Sequence, residues 1–284
     1  MSSDRYAVFG NPVSHSRSPD IHAAFARQTG EDLIYTKQHI ELDTFVDNAQ
    51  AFFADGGKGL NITLPFKTEA FDFSDTLSER AQRAGAVNTL TANADGTILG
   101  DNTDGIGLVR DMLDNLNWKI SGQRILIIGA GGAVRGILEP LLSQSPASLV
   151  IANRTLAKAL QLAEDFADLG KIFGVGFDDL EALSPFDLVI NGTSASLSGE
   201  LPPLPENLVA EDARAYDMMY GAEPTVFMQR MEQRGVDWLA DGLGMLVEQA
   251  AESFYLWRGV RPATSTLITE LRGDIQKQSR ITDK

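Results

Sequence analysis

Ile125-Leu126-Ile127-Ile128-Gly129-Ala130-Gly131-Gly132-Ala133-Val134-Arg135-Gly136 reads as a buried strand, a glycine turn and the start of a helix. Four consecutive aliphatic residues suit a strand covered on both faces, as in a parallel sheet. Gly129 allows a tight turn. Gly131 and Gly132 let backbone amides approach a pyrophosphate at a helix N-terminus, which carries roughly half a positive charge. The common G-x-G-x-x-G spacing puts a third glycine at position 134, where this chain has Val134, so the match is to a variant of the fingerprint. The bland alternative is a strand-to-helix turn that uses glycine for geometry alone. The aliphatic strand before the triplet and the helical pattern after it favour the dinucleotide reading.

The next strand refines that reading. Dinucleotide folds that take NAD usually end this strand on an acidic residue for the adenosine ribose, about 20 residues past the glycines. Here Leu149-Val150-Ile151-Ala152 runs into Asn153-Arg154-Thr155, with Lys158 close behind. A carboxylate would repel a 2′-phosphate, whereas Arg154 offers it a planar guanidinium and offers the adenine a flat face. The spacing therefore predicts NADP rather than NAD. The alternative is a solvated arginine at a strand end.

Outward from this core, short β-branched runs alternate with amphipathic stretches, the pattern of βαβ units around a mostly parallel sheet, so the fold class is α/β. From Arg124 the chain predicts strands over 125–128, 149–152 and 188–191, with helices over about 133–142 and 156–168, a doubly wound pattern. Strand-like segments at 215–219 and 236–240 extend the sheet. Two terminal helices follow over 244–258 and 264–276, and the polar tail from about Gln276 is the part open to fraying.

The first hundred residues have a different texture. A strand over Tyr6–Phe9 leads into a loop, where Ser18 reads as an N-cap and Pro19 as the first residue of a helix that Gly30 stops. An extended 33–40 and a helix over about 43–54 precede the Gly56-Gly57 break. Gly59–Pro65 then alternates, placing Asn61 and Thr63 on one face of a strand that leads to Lys67. A helix over about 69–83 and a hairpin turning at Asp95-Gly96 complete this part, and the domain crossing falls at Asp101–Gly105.

Composition limits the function. The chain has 284 residues, enough for two cores, and 24 basic against 39 acidic side chains give a net charge of −15. That charge opposes binding to nucleic acid or anionic lipid. No apolar run reaches the ~20 residues of a membrane span and no signal peptide is evident, so the expectation is a cytoplasmic protein without membrane partners. There is no cysteine, which excludes thiolate chemistry, and His15, His22 and His39 lack metal-ligand spacing, so no metal is expected. Ser16, Ser18, Asn61, Thr63, Lys67, Asn88 and Asp104 together could hydrogen-bond a small polyhydroxylated acid. Each alone has a plain structural role as a cap, a turn residue or a solvated side chain.

Those residues stand in segments that resemble the shikimate dehydrogenase family over nearly the whole chain. Tyr6–Pro12 with His15-Ser16-Arg17-Ser18-Pro19, then Asn61–Lys67, Gly85–Thr89, Gly100–Gly105, Asn153-Arg154-Thr155 and Asp241–Ala250 follow its motifs in order. The resemblance implies an α/β substrate domain over residues 1–103, completed by C-terminal helices over 242–284. It also implies a Rossmann NADP-binding domain over 104–241, with a cleft between the two. The implied activity is NADP-dependent oxidoreduction of a CH–OH group, the reversible reduction of 3-dehydroshikimate to shikimate in chorismate and aromatic amino-acid biosynthesis. The only partner implied is the small-molecule substrate, with the chain acting as monomer or homodimer.

By the same resemblance, Ser16, Ser18, Asn61, Thr63, Lys67, Asn88, Asp104, Tyr220 and Gln249 hold the substrate, and Lys67 and Asp104 are the catalytic pair. Gly129, Ala130, Gly131, Gly132, Ala133, Asn153, Arg154, Thr155, Lys158, Met218 and Gly242 hold the cofactor, with Glu79 also implicated. Two departures stand out. Val134 replaces a small polar residue, and Lys158 stands where many members carry a second arginine, which keeps the charge and loses the fork. Either Lys67 or Asp104 could transfer the proton. An NAD-accepting quinate/shikimate dehydrogenase and a non-catalytic NADP-binding regulator are the alternatives. The missing acidic residue disfavours the first, and retention of both Lys67 and Asp104 disfavours the second.

Overall fold

A computed structural model describes residues 3–193 and 201–282. Close contacts divide the chain into two units, residues 1–107 with 246–267, and residues 108–245 with 268–284.

The first unit contains the strands β1 (Asp4–Gly10), β2 (Leu33–His39), β3 (Gly59–Ile62), β4 (Thr76–Leu77), β5 (Thr89–Ala92) and β6 (Ile98–Asp101). With them go the helices α1 (Ser18–Thr29), α2 (Phe45–Ala54), α3 (Lys67–Phe73) and α4 (Glu79–Ala84). Among the described residues the strands form a mixed sheet in the order β2-β1-β3-β5-β6-β4. The β1 strand pairs in parallel with both β2 and β3, whereas the β5–β6 hairpin is antiparallel and docks against β3 in antiparallel register. One core packs on this sheet, from Phe9, Phe45, Leu60, Ile62, Phe66 and Leu90 among others. The register sets Asn61 opposite Thr89, so two polar side chains share one face while Leu60 and Leu90 enter the core.

Two local readings differ from the sequence expectation. The segment over 69–83 is not one helix. It breaks after Phe73 because Asp75 N donates to Ile98 O at 2.9 Å and Ile98 N donates to the Asp75 carboxylate at 2.7 Å, which draws β4 into the sheet beside β6. Ser78 then caps α4, its Oγ accepting from Ala81 N at 3.2 Å. Ser18 is also not an N-cap. Arg17 holds that position and makes no side-chain cap, while the buried Ser18 hydroxyl meets Ser16 Oγ at 3.2 Å.

The α5 helix (Asp104–Arg110) leads out of the first unit and continues as a π-helical turn over Asp111–Asn115. The second unit carries β7 (Arg124–Ile128), α6 (Gly132–Leu142), β8 (Ser148–Ala152), α7 (Leu156–Asp165), β9 (Ile172–Val175), α8 (Leu180–Leu183), β10 (Phe186–Asn191), β11 (Val209–Asp217), α9 (Val226–Glu232) and β12 (Trp238–Asp241). These strands form an all-parallel sheet in the order β12-β11-β10-β7-β8-β9. Numbered from β7, this is the 3-2-1-4-5-6 order of a doubly wound dinucleotide-binding fold. Ile125 and Ile127 enter one core, and Leu126 and Ile128 enter another on the opposite face, which is why the strand is apolar throughout. The edge strand β9 carried no sequence signal beyond a short Ile-Phe-Gly-Val run.

Two helices end the chain, α10 (Leu243–Arg258) and α11 (Ser265–Thr282). The α11 helix runs on through the polar segment read as a frayed tail. No described helix is long and apolar enough to cross a membrane.

Candidate active site

Lys67 opens α3 and Asp104 opens α5, and the fold brings them together across 37 residues of sequence. Lys67 Nζ donates to Asp104 Oδ2 at 2.5 Å. Both side chains are partly exposed, 26% for Lys67 and 16% for Asp104, so the pair is open to a small molecule while being shielded from bulk water. Asp104 sits in the first turn of its helix, where a carboxylate is favoured by the unpaired amides.

The other carboxylate oxygen belongs to Asn88. Its Nδ2 donates to Asp104 Oδ1 at 2.8 Å and to Thr103 Oγ1 at 3.0 Å, while its Oδ1 accepts from Thr103 N at 2.9 Å and Thr89 Oγ1 at 2.9 Å. Asn88 is therefore committed on both ends, and it fixes the rotation of the Asp104 carboxylate. Gln249, from α10, reaches the same cluster, its Oε1 lying 3.4 Å from Thr103 Oγ1 and from Asn88 Nδ2.

Asn61 is buried beside this group. Its Nδ2 donates to Ser253 Oγ at 3.0 Å and Thr89 Oγ1 at 3.1 Å, and Tyr35 donates its phenol proton to Asn61 Oδ1 at 2.8 Å. Burial pushes the Tyr35 phenol well above its ordinary pKa, so Tyr35 remains a donor. Thr63 lies past the end of β3, where its amide donates to Phe9 O at 2.9 Å and its methyl packs over Gly10. Ser16, on the loop before α1, and Ser18, the first residue of that helix, form a hydroxyl pair.

A buried ion network fastens α10 to this side of the sheet. Arg80 forks onto Asp101 at 2.7 and 2.8 Å and also donates to Glu252 at 3.1 Å, and Arg261 pairs with the other Glu252 oxygen. The network anchors the Asp101–Asp104 turn at one end and the Gln249–Ser253 face at the other. Neither Tyr35 nor Ser253, Thr89 and Thr103 was singled out as a site residue from sequence. The alternation Asn61/Thr89 across an antiparallel pair is the signal that could have found Thr89.

In the second unit, the predicted turn has the geometry a pyrophosphate needs. Gly129 has φ +108°, a left-handed value suited to glycine, and a Cβ there would sit 2.9 Å from Thr193. Side chains built at Gly131 and Gly132 would meet only open space, so the amides at the head of the eleven-residue α6 are accessible. A cavity of about 340 Å³ lies over them, lined by Ala130, Gly131, Gly132, Arg135, Lys158 and Gln161 among others. Ala133 stands exposed in the first turn of α6, and Asn153, Arg154 and Thr155 follow β8. Asn153 Nδ2 donates to Thr155 O at 3.0 Å, which shapes that loop, and Arg154 is exposed. These residues fit a dinucleotide carrying an extra phosphate: open amides, a concave wall and two cations, Arg135 and Lys158, on one cavity. Arg135 also pairs with Asp165 and was not among the expected cofactor residues.

Met218 and Gly242 meet at the ends of β11 and β12. Gly242 N donates to Met219 O at 3.0 Å, and a Cβ on Gly242 would collide with Met218 O at 2.2 Å, so this crossing requires glycine. Tyr220 lies on the loop after β11 in the same unit, and Glu79 is an exposed first-turn residue of α4 in the other. No described group of His, Asp and Glu has the arrangement of a metal site.

Three stretches of the chain match families of known proteins: residues 8–90 the shikimate dehydrogenase substrate binding domain, residues 110–198 shikimate / quinate 5-dehydrogenase, and residues 242–272 the shikimate 5′-dehydrogenase C-terminal domain. A shikimate dehydrogenase (NADP(+)) of Cellvibrio japonicus is 60% identical over 97% of this chain and 99% of its own length. This chain belongs to the shikimate dehydrogenase family. Among solved structures, an Ael1 enzyme of Pseudomonas putida superposes with a TM-score of 0.89 at 47% identity, covering 95% of this chain and 98% of that one. The shikimate 5-dehydrogenase of Thermus thermophilus in complex with NADP(H) and shikimate superposes with a TM-score of 0.82 at 31% identity, over 94% and 97% of the two chains. Membership of the shikimate dehydrogenase family agrees with the two α/β units and the parallel dinucleotide-binding sheet described above.

Proposed function

We propose that this chain is an NADP-dependent shikimate dehydrogenase that reversibly reduces 3-dehydroshikimate to shikimate, serving chorismate and aromatic amino-acid biosynthesis in the cytoplasm. The observation that carries the reading is the Lys67–Asp104 pair, partly open and held in one orientation by Asn88. A protein that only sensed NADP would have no use for a partly open lysine held against a carboxylate.

Ketone reduction delivers a hydride to carbon and a proton to oxygen. NADPH supplies the hydride when bound. Lys67 carries three N–H bonds, of which Asp104 takes one, leaving the others for the substrate oxygen. Lys67 is the proposed proton donor. Asp104 keeps the ammonium in place and accepts a hydrogen bond from the hydroxyl that forms. Ser16 and Ser18 supply neutral donors for the substrate carboxylate, Asn61, Thr63 and Gln249 supply groups for ring hydroxyls, and Asn88, whose own groups are engaged by Asp104, Thr103 and Thr89, is assigned to the substrate site on family resemblance. Tyr220 is assigned to the substrate, and Met218, Gly242 and Glu79 to the cofactor, on family resemblance alone. Gly129, whose own amide donates to Ala152 O, would shape the turn, and the amides of residues 130–133 would hold the pyrophosphate, with Asn153, Arg154, Thr155 and Lys158 toward the adenosine 2′-phosphate.

An absorbance assay with shikimate or quinate, each with NADP or NAD, tests the reading. Shikimate with NADP should be the fastest of the four pairings. No turnover of shikimate with either cofactor would overturn it, and a preference for quinate with NAD would replace it with the quinate/shikimate alternative.

A further inference from the structure

Ser253 has no role in the proposed chemistry, yet its hydroxyl lies at the centre of the polar cluster. The side chain is fully buried on the face of α10 that also buries Ala250 and Phe254. Asn61 Nδ2 donates to Ser253 Oγ at 3.0 Å, Thr89 Oγ1 lies 2.8 Å from it and Thr103 Oγ1 3.3 Å, and Ser253 donates to Gln249 O, one turn back, at 3.1 Å. A hydroxyl with four polar neighbours inside a packed interface fixes directions more than it fills space.

Counting protons on Asn61 shows what it fixes. A carboxamide has two N–H bonds, and here the acceptors are Ser253 and Thr89, with Asn88 O a third at 3.3 Å. Both hydrogens are thereby spent on the protein, and only Oδ1, already holding the Tyr35 proton, has a lone pair left for a ligand. Asn61 thus presents an acceptor, complementary to a ring hydroxyl that donates. Turning the amide over would exchange acceptor for donor, and because the Ser253 proton goes to Gln249 O, its oxygen is left to accept, which penalises the turned form.

We propose that Ser253 is a positioning residue for substrate recognition, holding the Asn61 carboxamide so that its oxygen faces a donating hydroxyl of a polyhydroxylated cyclic acid. The proposal rests on the reading of Asn61 as a substrate-holding group. It gives Ser253 its main effect on substrate affinity, because it touches Asn61 directly while Thr89 or Thr103 and then Asn88 stand between its hydroxyl and the Lys67–Asp104 pair.

The test uses the full chain, wild type and Ser253→Ala, alone and combined with Asn61→Ala. Ser253→Ala should raise KM for shikimate about 2- to 12-fold, the scale of one neutral hydrogen bond, with kcat within about 2-fold and KM for NADP unchanged. In the Asn61→Ala background it should raise KM no further, which a merely structural contribution would still do. An unchanged KM, or an equal added effect in that background, overturns the proposal. NMR of the Asn61 side-chain amide separates it from the functional reading. Slow proton exchange in the wild type and fast exchange in Ser253→Ala supports the positioning role, and identical exchange overturns it, whatever the wild type does with shikimate.

Discussion

The imidazole of His22 lies flat against the phenol ring of Tyr35, with ring centroids 4.2 Å apart and planes 6° from parallel. Phe25, Phe254 and Trp257 complete the surrounding ring cluster, and no part of His22 reaches solvent. The stack holds Tyr35, and Tyr35 holds Asn61, so an apolar cluster sets the back wall of a polar site.

That burial pushes the His22 pKa down to about 3, the Asn61 carboxamide pulling the other way. A depressed pKa gives stability that is whole above the unfolded value near 6.5 and is lost as pH falls toward the folded value. Between pH 7 and pH 4.5, His22 should cost the fold about 2.5 kcal/mol. Urea unfolding of the wild type and His22→Phe at both pH values measures it. The variant should lose less stability on acidification by about that amount, and parallel losses would show that His22 is not neutral in the native state.

Lys67→Ala should lower turnover by roughly 10²- to 10⁴-fold, the range for losing acid–base assistance. NADPH affinity, read by fluorescence titration, should stay near the wild-type value because the glycine turn lies elsewhere in the chain. Near-normal turnover would remove Lys67 from the chemistry.

The 2′-phosphate reading predicts a split between cofactors. Arg154→Ala should raise KM for NADPH while leaving that for NADH nearly unaltered, and Lys158→Arg should sharpen the preference for NADPH by restoring a planar fork. Equal effects on both cofactors would take the 2′-phosphate away from Arg154.

Arg272 of α11 forks onto Asp241 and also donates to Gly221 O at 3.0 Å, beside the Gly242–Met218 crossing. Asp241 is 5% exposed in its side chain and Arg272 33%. Arg272→Ala should destabilise the protein by about 2–4 kcal/mol, toward the low side for a broken buried pair because the arginine is partly hydrated. Arg272→Lys should recover only part of it, since the fork is lost. Denaturant midpoints of the two variants decide the matter, and a wild-type midpoint for Arg272→Ala would mean that Asp241 is satisfied by other groups.

The second unit was legible because its signals are local. Four aliphatic residues, a glycine turn and a helical period all fall within 125–142, and each constrains the next few residues of backbone. The break at Phe73 was not legible, because the segment after it is drawn off by Ile98, whose pairing depends on a hairpin formed later in the chain. Ser18 read as a cap on the strength of Pro19, and only the approach of Ser16 turned its hydroxyl aside. In the candidate site, Asn61, Lys67, Asn88 and Asp104 stood out as polar residues in apolar company, while Tyr35 and Ser253 looked like ordinary members of a strand and a helix.

By itself the sequence determined the strand–turn–helix that opens the dinucleotide fold, the absence of an acidic residue after β8, and the residue types available for chemistry. It did so because backbone preference, hydrophobic period and side-chain charge act over a few residues. Only the tertiary structure decided that Lys67 meets Asp104 across 37 residues and that Asn61 meets Ser253 across 192. Those contacts exist because burying apolar faces on a common sheet forces the polar side chains between them to satisfy one another, whatever their separation along the chain.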